Sequence, residues 1–417
     1  MRLATLSQWL NHLENQHTKA IDMGLERVRQ VAQAAKVLNF ACPVITVAGT
    51  NGKGSTVTTL TAIYQAAGYQ VGTYTSPHIS YFNERIALNG QMVSDELLID
   101  AFHFIEQIRA QTGISLTYFE FTTLAAFYIF QQAKLDIVIL EVGLGGRLDA
   151  VNLIDADVAV VTSIGIDHVD WLGDTREAIS FEKAGIFRAN KPAVYGELNP
   201  PQPLVDHAQQ LATPLYVKGR DFSFSSLEDE TWSWQGMGKS YLTLAKPMLA
   251  VDNVATALAA TSLAPLVLTE ESIQKGIKSA RLSGRAECFL HNGTQIIMDV
   301  AHNPHGAAFF MQQLSAGHGK TFAVFAMLAD KDIAGTVAAC LGRIDQWFVS
   351  GLDVPRGASA NSIVPLLQDN GMYVGGIYHS VAAAMRAACQ TAQTGDRILV
   401  FGSFYTVAAA KQWLQTQ

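Results

Sequence analysis

Nine short apolar runs separated by helical patterns, together with one glycine-rich turn that carries a lysine, predict an α/β protein of two domains. The larger, N-terminal domain reads as a P-loop-type parallel sheet. The smaller, C-terminal domain reads as a Rossmann-like α/β unit. The runs are residues 44–47, 70–74, 137–140, 158–161, 193–195, 295–298, 321–325, 346–349 and 398–401. They are apolar almost throughout rather than alternating, which is the pattern of parallel strands covered on both faces. Helical periodicity fills the gaps, for example over residues 94–110, 120–134, 252–264, 270–279 and 380–391.

The stretch 200–247 breaks this rhythm. It is rich in Ser, Trp and Gly and alternates like a small antiparallel excursion, so it reads as an insertion or an edge hairpin. A new β-α alternation starts near Gln295. The boundary is therefore expected within 284–293, giving domains 1–287 and 288–417.

Composition narrows the classes of function. The 417 residues are 49% apolar and 16% charged, which excludes a disordered or coiled-coil protein. The net charge of −7, with no basic run, argues against nucleic acid as a partner. Four scattered cysteines form no C-x-x-C pair, so neither a zinc site nor a disulfide framework is expected, and a reducing cytoplasm fits. At the start, Leu6, Trp9, Leu10 and Leu13 follow helical spacing, while Asn11, His12 and Glu14 interrupt any signal-peptide core. No apolar run approaches the roughly 18–20 residues of a membrane span, and no membrane partner is expected.

The strongest local signal follows the first strand. Gly49-Thr50-Asn51-Gly52-Lys53-Gly54-Ser55-Thr56 leads from a strand into a helix. Glycines let backbone N–H groups wrap phosphate oxygens, the helix N-terminus adds partial positive charge, and Lys53 adds a full one. Thr50, Asn51, Gly52, Lys53, Gly54 and Ser55 are thus candidate ATP-binding residues. The usual G-x-x-x-x-G-K-[ST] pattern is not met, because Gly54 separates the lysine from Ser55.

The form G-T-N-G-K-G-S-T resembles the Mur-ligase superfamily, ATP-dependent amide ligases, and in particular its folylpolyglutamate synthase/dihydrofolate synthase family. Other segments extend the resemblance over nearly the whole chain. Thr75-Ser76-Pro77-His78 with Phe82-Asn83-Glu84-Arg85-Ile86 looks like the family's loop that reaches metal and folate. Glu141 opens Glu141-Val142-Gly143-Leu144-Gly145-Gly146-Arg147-Leu148-Asp149-Ala150 at a strand end. The residues alone leave Glu141 open between a magnesium ligand and an acid bonded to loop amides; the resemblance implies the ligand.

By the same resemblance, His168 in Thr162-Ser163-Ile164-Gly165-Ile166-Asp167-His168 would bind a second Mg²⁺. Lys183 in Glu182-Lys183-Ala184-Gly185-Ile186 would carry a CO₂-derived carbamate, an anionic oxygen ligand in place of an ammonium. That chemistry needs a neutral amine, so a lysine with a pKa lowered by burial is expected. The implied ligands of two Mg²⁺ ions are Ser76, Glu141, His168 and carbamoylated Lys183. Asn253 at a helix start, Arg285 in Ser283-Gly284-Arg285, and Asp299 in Met298-Asp299-Val300-Ala301-His302-Asn303-Pro304 would join the ATP site. His302 would lie near the nucleotide, with Lys53 and Lys183 as the other catalytic residues.

The substrate side is implied by residues 21–28 and by Thr117, Phe119, Glu120, Leu148, Asp149 and Ala150, which look like the pterin-holding segments of bifunctional members. An aromatic ring with aliphatics can sandwich a flat heterocycle, and an acid can bond its N–H groups. The implied activity is ATP-dependent addition of L-glutamate to dihydropteroate and to folates through an acyl phosphate. The C-terminal domain would complete the ATP and glutamate cleft, and the enzyme would work as a monomer. Two other readings stay open here. One is a Mur-type ligase for another acceptor, or for folates alone. The other is a nucleotide switch without chemistry, which would not need so many candidate metal ligands.

Overall fold

The computed structural model describes residues 3–17, 21–227, 231–314 and 319–417. They form two compact units: Met1–His78 with Phe82–Arg281, and Ile79–Tyr81 with Leu282–Gln417. The second unit begins a few residues before the expected 287/288. The turn at its start is tied to the strands of that unit: Gly284 N donates to Glu287 Oε2 (2.7 Å), and Val300 N donates to Gly284 O (2.9 Å).

In the first unit, strands β1 (Val44–Ala48), β2 (Val71–Tyr74), β3 (Ile86–Leu88), β4 (Gln91–Met92), β5 (Ile137–Glu141), β6 (Val158–Val161), β7 (Ala193–Tyr195) and β8 (Leu215–Val217) build one sheet. Its order is β4-β3-β2-β5-β1-β6-β7-β8. From β2 to β8 all neighbours are parallel; β3 and β4 add an antiparallel edge. Every residue of β1, β5 and β6 is buried, and all but Thr46 and Glu141 are apolar, as strands covered on both faces require.

Register decides where the site lies. Val47 of β1 sits beside Glu141 of β5 on one side and Val160 of β6 on the other. The turn after β1, the carboxylate ending β5 and the loop after β6 therefore emerge side by side at the carboxyl ends of parallel strands, where open α/β sheets bind ligands.

Helices hold this edge in place. The Lys53–Ala66 helix packs on Val251–Leu263 and Glu270–Ser279. Gly276 permits the second contact, since a Cβ there would come within 2.5 Å of Ile63 Cα. Tyr118–Gln132 begins with a capping box: Thr117 Oγ1 accepts from Glu120 N (3.2 Å) and Glu120 Oε2 from Thr117 N (2.7 Å). The core beneath is aromatic, with Phe102 edge-on to Trp9, Phe82 and Phe121. Each such buried ring contributes roughly 1.5–3 kcal/mol.

The stretch 200–247, expected as one insertion, divides into two parts. Helix Gln202–Gln210 and β8 continue the main sheet; β8 has only three residues, in a polar context, and gave little apolar signal. The separate antiparallel sheet consists of β9 (Phe222–Ser226), β10 (Thr231–Gly236) and β11 (Lys239–Ala245). Trp232 and Trp234 are buried in it, and Trp234 Nε1 donates to Ala255 O (3.1 Å).

The second unit contains β12 (Glu287–His291), β13 (Thr294–Met298), β14 (Thr321–Phe325), β15 (Gln346–Ser350), β16 (Val374–Tyr378) and β17 (Arg397–Phe401), in the order β12-β13-β17-β14-β15-β16. Only β12 runs antiparallel to its neighbour. Side chains alternate between two cores. Ile297, Phe325, Trp347 and Leu399 enter one, whereas Met298, Val324, Phe348 and Val400 enter the other. Both faces are covered, as the apolar runs predict. Among the described residues no helix is long and apolar enough to cross a membrane.

The Gly276–Ile63 approach is directly testable. G276A should force the two helices apart and cost about 1–3 kcal/mol, as overpacking does. Calorimetry should record a lower unfolding midpoint; an unchanged midpoint would contradict the packing.

Candidate active site

The turn after β1 is held from outside itself. Thr50 N donates to Ser163 O (2.8 Å), and Asn51 N donates to Ser163 Oγ (3.0 Å). The Asn51 carbonyl accepts from Thr162 Oγ1 (2.6 Å) and Ser163 Oγ (3.0 Å). Thr50 Oγ1 donates to Gly165 O and accepts from Gly165 N, both at 3.0 Å. Gly52 takes φ +89°, and a Cβ there would collide with the Asn253 amide. Asn253, remote in sequence, thus lies directly against the turn. Lys53 Nζ donates to Gly49 O (3.0 Å) and Thr50 O (3.3 Å). No side chain caps the Lys53–Ala66 helix, whose first turn includes Gly54 and the buried Ser55. Such an end attracts an anion.

Beside this turn, Glu141 is 5% exposed, and its Oε2 accepts from Ser76 N (3.1 Å). The Arg176–Ala184 helix, capped by Thr175, carries Lys183 on its buried face. Burial, then the charge of Lys53, push the Lys183 pKa down to about 7, while Asp167 and Asp149 act in the opposite sense. His168 sits in the left-handed region (φ 54°) at the start of the short Val169–Leu172 helix, with Asp167 Oδ2 4.0 Å from its Nε2.

Among the described residues no three His, Cys, Asp or Glu side chains converge as a protein-built metal cage. Magnesium does not need one, since it is commonly held by one or two carboxylates with substrate phosphates and water. A buried carboxylate at a strand end, next to a phosphate-type turn, is a donor set that fits it.

A second cluster surrounds Asp149. Its Oδ2 accepts from Leu144 N (2.8 Å) and its Oδ1 from Val151 N (2.9 Å), capping the short Ala150–Leu153 helix. Burial raises its pKa to about 6, although these N–H groups and Lys53 pull it down. Phe119 faces Gly143 in the same cluster, where a Cβ would come within 2.6 Å of its ring. Leu148 is half-buried and Ala150 buried. Glu120, expected as a free acid for substrate, is otherwise engaged. Besides capping with Thr117, it pairs with Arg27 Nη2 (3.0 Å).

In the second unit, Asp299 points at the backbone. Its Oδ2 accepts from Ala286 N (2.9 Å) and its Oδ1 from Ala301 N (2.8 Å), with Arg285 Nη1 3.7 Å away. Burial raises its pKa and Arg285 opposes that. In this arrangement Asp299 orients Arg285 and the turn that carries it. His302 Nδ1 donates to Val300 O (2.9 Å), which fixes the orientation of the ring. Asn303 caps the Pro304–Gln313 helix, with Pro304 at its first position.

Residues 47–261 match the Mur ligase middle domain, and residues 284–404 match the Mur ligase glutamate ligase domain. The chain belongs to the Mur ligase family. It is 47% identical to the dihydrofolate synthase/folylpolyglutamate synthase of Escherichia coli (strain K12), over 97% of this chain and 94% of that one. The solved structure of E. coli FolC in complex with DHPP and ADP superposes with a TM-score of 0.94 and 46% identity, covering 100% of this chain and 99% of that one. A bifunctional folylpolyglutamate synthase/dihydrofolate synthase with Mn, AMPPNP and L-glutamate bound gives 0.93 and 45%, with 100% and 99% coverage. This chain is an ATP-dependent ligase of the same kind.

Several residues that shape this edge lie inside the segments quoted from the sequence but were not among the expected site residues. Thr162 and Ser163 hold the phosphate-type turn through contacts more than 100 residues apart in sequence. Asp167 acts on Lys183 from a separate loop. Arg147 N donates to Glu182 O (2.7 Å) and its guanidinium pairs with Glu182 Oε1 (2.8 Å), locking the 143–149 loop to the Lys183 helix.

Lys183 gives a pH test. Its folded pKa lies below the ordinary 10.5, so the unfolded chain binds more protons between about pH 7 and 10.5. Burying the charge is most costly below pH 7, and that cost fades as the pH rises. In CO₂-free buffer, K183M should therefore raise the unfolding midpoint at pH 6, with a gain that shrinks toward pH 10. A gain that does not depend on pH would show that the amine is not desolvated.

Proposed function

We propose that this ligase adds L-glutamate to dihydropteroate, forming dihydrofolate, and to reduced folates, extending their glutamate tails. The observation that carries the reading is the side-by-side emergence of the Gly49–Ser55 turn, the Glu141 carboxylate and the Lys183 helix at the strand ends, with the Phe119–Asp149 cluster adjacent. The names and ligands of the relatives support the choice of substrates.

A free carboxylate has a poor leaving group for amide formation. Transfer of the γ-phosphoryl group of ATP to a carboxylate oxygen gives an acyl phosphate. The glutamate amine then attacks the acyl carbon, and inorganic phosphate leaves with the original carboxylate oxygen. The protein's work is alignment and charge neutralisation. Lys53, now bonded to loop carbonyls, would turn to the β- and γ-phosphates beside the N–H groups of Gly52, Gly54 and Ser55. Thr50, Asn51 and Asn253 would shape the nucleotide site; in the second unit Arg285, braced by Asp299, and His302 are the residues we expect to contact ATP.

Ser76, Glu141, His168 and carbamoylated Lys183 would together hold two Mg²⁺ ions, which would supply positive charge to the phosphate oxygens. The carbamate forms when the neutral Lys183 amine attacks CO₂ and releases a proton, and a pKa near 7 leaves about half the amine neutral at neutral pH. For the acceptor, Phe119, Leu148 and Ala150 offer apolar faces to a pterin ring. Asp149 offers a carboxyl group for the ring's N–H groups, and Thr117 and Glu120 hold Phe119 at the helix start. We assign the enzyme to the cytoplasm, where its four free thiols would persist, and expect a monomer.

The deciding assay supplies ATP, Mg²⁺ and L-glutamate with either dihydropteroate or tetrahydrofolate. ADP and phosphate should appear only when acceptor and glutamate are both present. Oxygen-18 in the acceptor carboxylate should be recovered in the phosphate. K53A should lower kcat by at least about a hundredfold, as loss of a key charge-stabilising group does. Failure of both acceptors to support turnover would overturn the substrate assignment.

A further inference from the structure

The loop that holds the nucleotide turn is itself held by an ion pair with no assigned role. Glu197 Oε2, just past β7, accepts from Ile164 N (3.0 Å), Arg176 Nη2 (3.2 Å) and Tyr195 OH (2.6 Å). Arg176 Nε donates to Ile164 O (3.0 Å). Both backbone groups of Ile164 are therefore gripped by the pair. Its two neighbours, Ser163 and Gly165, are the residues that bond Thr50 and Asn51.

We propose that Arg176 and Glu197 are positioning residues that set the nucleotide turn by clamping Ile164 between the turn's two anchor points. The proposal rests on the reading of the Gly49–Ser55 turn as a phosphate site.

The chemistry suits such a task better than it suits stabilisation. The Arg176 side chain is 45% exposed, and a pair this exposed adds little stability. A planar guanidinium can, however, bond two acceptors in fixed directions at once, here a carbonyl and a carboxylate. Tyr195 is fully buried at the end of β7, and burial together with Glu197 raises its pKa, so its hydroxyl stays a donor to the carboxylate. Arg176 is also the first residue of the helix that carries Lys183, about two turns away. One pair thus fixes the nucleotide turn and the start of the Lys183 helix to the same backbone residue.

The test separates positioning from bulk stability. For the full-length enzyme, the Kd of Mg·ADP, the Kd of dihydropteroate, the KM values of ATP and L-glutamate, and the unfolding midpoint are measured for wild type, E197A, E197Q and R176K. In E197A and R176K the Kd of Mg·ADP and the KM of ATP should rise about tenfold, the size of a typical coupling between neighbouring groups. The Kd of dihydropteroate and the KM of L-glutamate should stay within about twofold over the same comparison. E197Q keeps an oxygen for Ile164 N and should recover most of the loss. Wild-type ADP affinity in folded E197A and R176K overturns the proposal, as does an equal loss for ADP and dihydropteroate. If E197A does not fold, R176K and Y195F are judged by the same criteria. If wild type itself binds no ADP, the phosphate-site reading fails and the proposal fails with it; if wild type binds and the variants match it, the proposal fails alone.

Discussion

The hydrogen bonds between the Thr50–Asn51 backbone and the Thr162–Gly165 loop are the constraint on which the rest depends. A turn that offers N–H groups and a helix end to a triphosphate cannot spend those groups on its own stability. It has to be shaped from the next strand over. The parallel pairing of β1 with β6 supplies that support, because it brings the loop after β6 alongside the turn after β1. Glycine at positions 49 and 52 follows from the closeness of Thr162 and Asn253, which leaves no room for a side chain.

Charge is the second theme of this edge. Burial, and then the nearby charge of Lys53, disfavour the ammonium form of Lys183. Asp149 and Asp167 offset part of that repulsion. Asp149 is itself lifted by burial to about 6 despite its bonds from backbone N–H groups. A triphosphate would relieve the lysine–lysine repulsion.

In the second unit the same economy appears. Asp299 uses both oxygens on the backbone and on Arg285, so the acid acts as a brace for the base. Lys411 and Glu287 tie Ser283, two residues before Arg285, from the other side. The Ser-Gly-Arg turn is over-determined by its neighbours, and that is consistent with a fixed charge rather than a mobile one.

The sequence by itself determined the parallel α/β architecture, most of the strands, the phosphate-type turn and the strand-end acid. These are written in local apolar runs and glycine spacing, whose physical effect acts within a few residues. It did not reveal β3, β4, β8, β12 and β16, which are very short, interrupted by two glycines in Val374–Tyr378, or, in Glu287–His291, polar at both ends. Only the tertiary structure decided that Asn253 lies on Gly52, that Glu120 is taken by Arg27, that Asp299 faces the Ala286 backbone, and that Lys183 is buried enough to lose its proton near neutrality. Each of these is a contact or a burial set by strand order and helix packing, and residues so distant along the chain leave no mark on one another's local pattern.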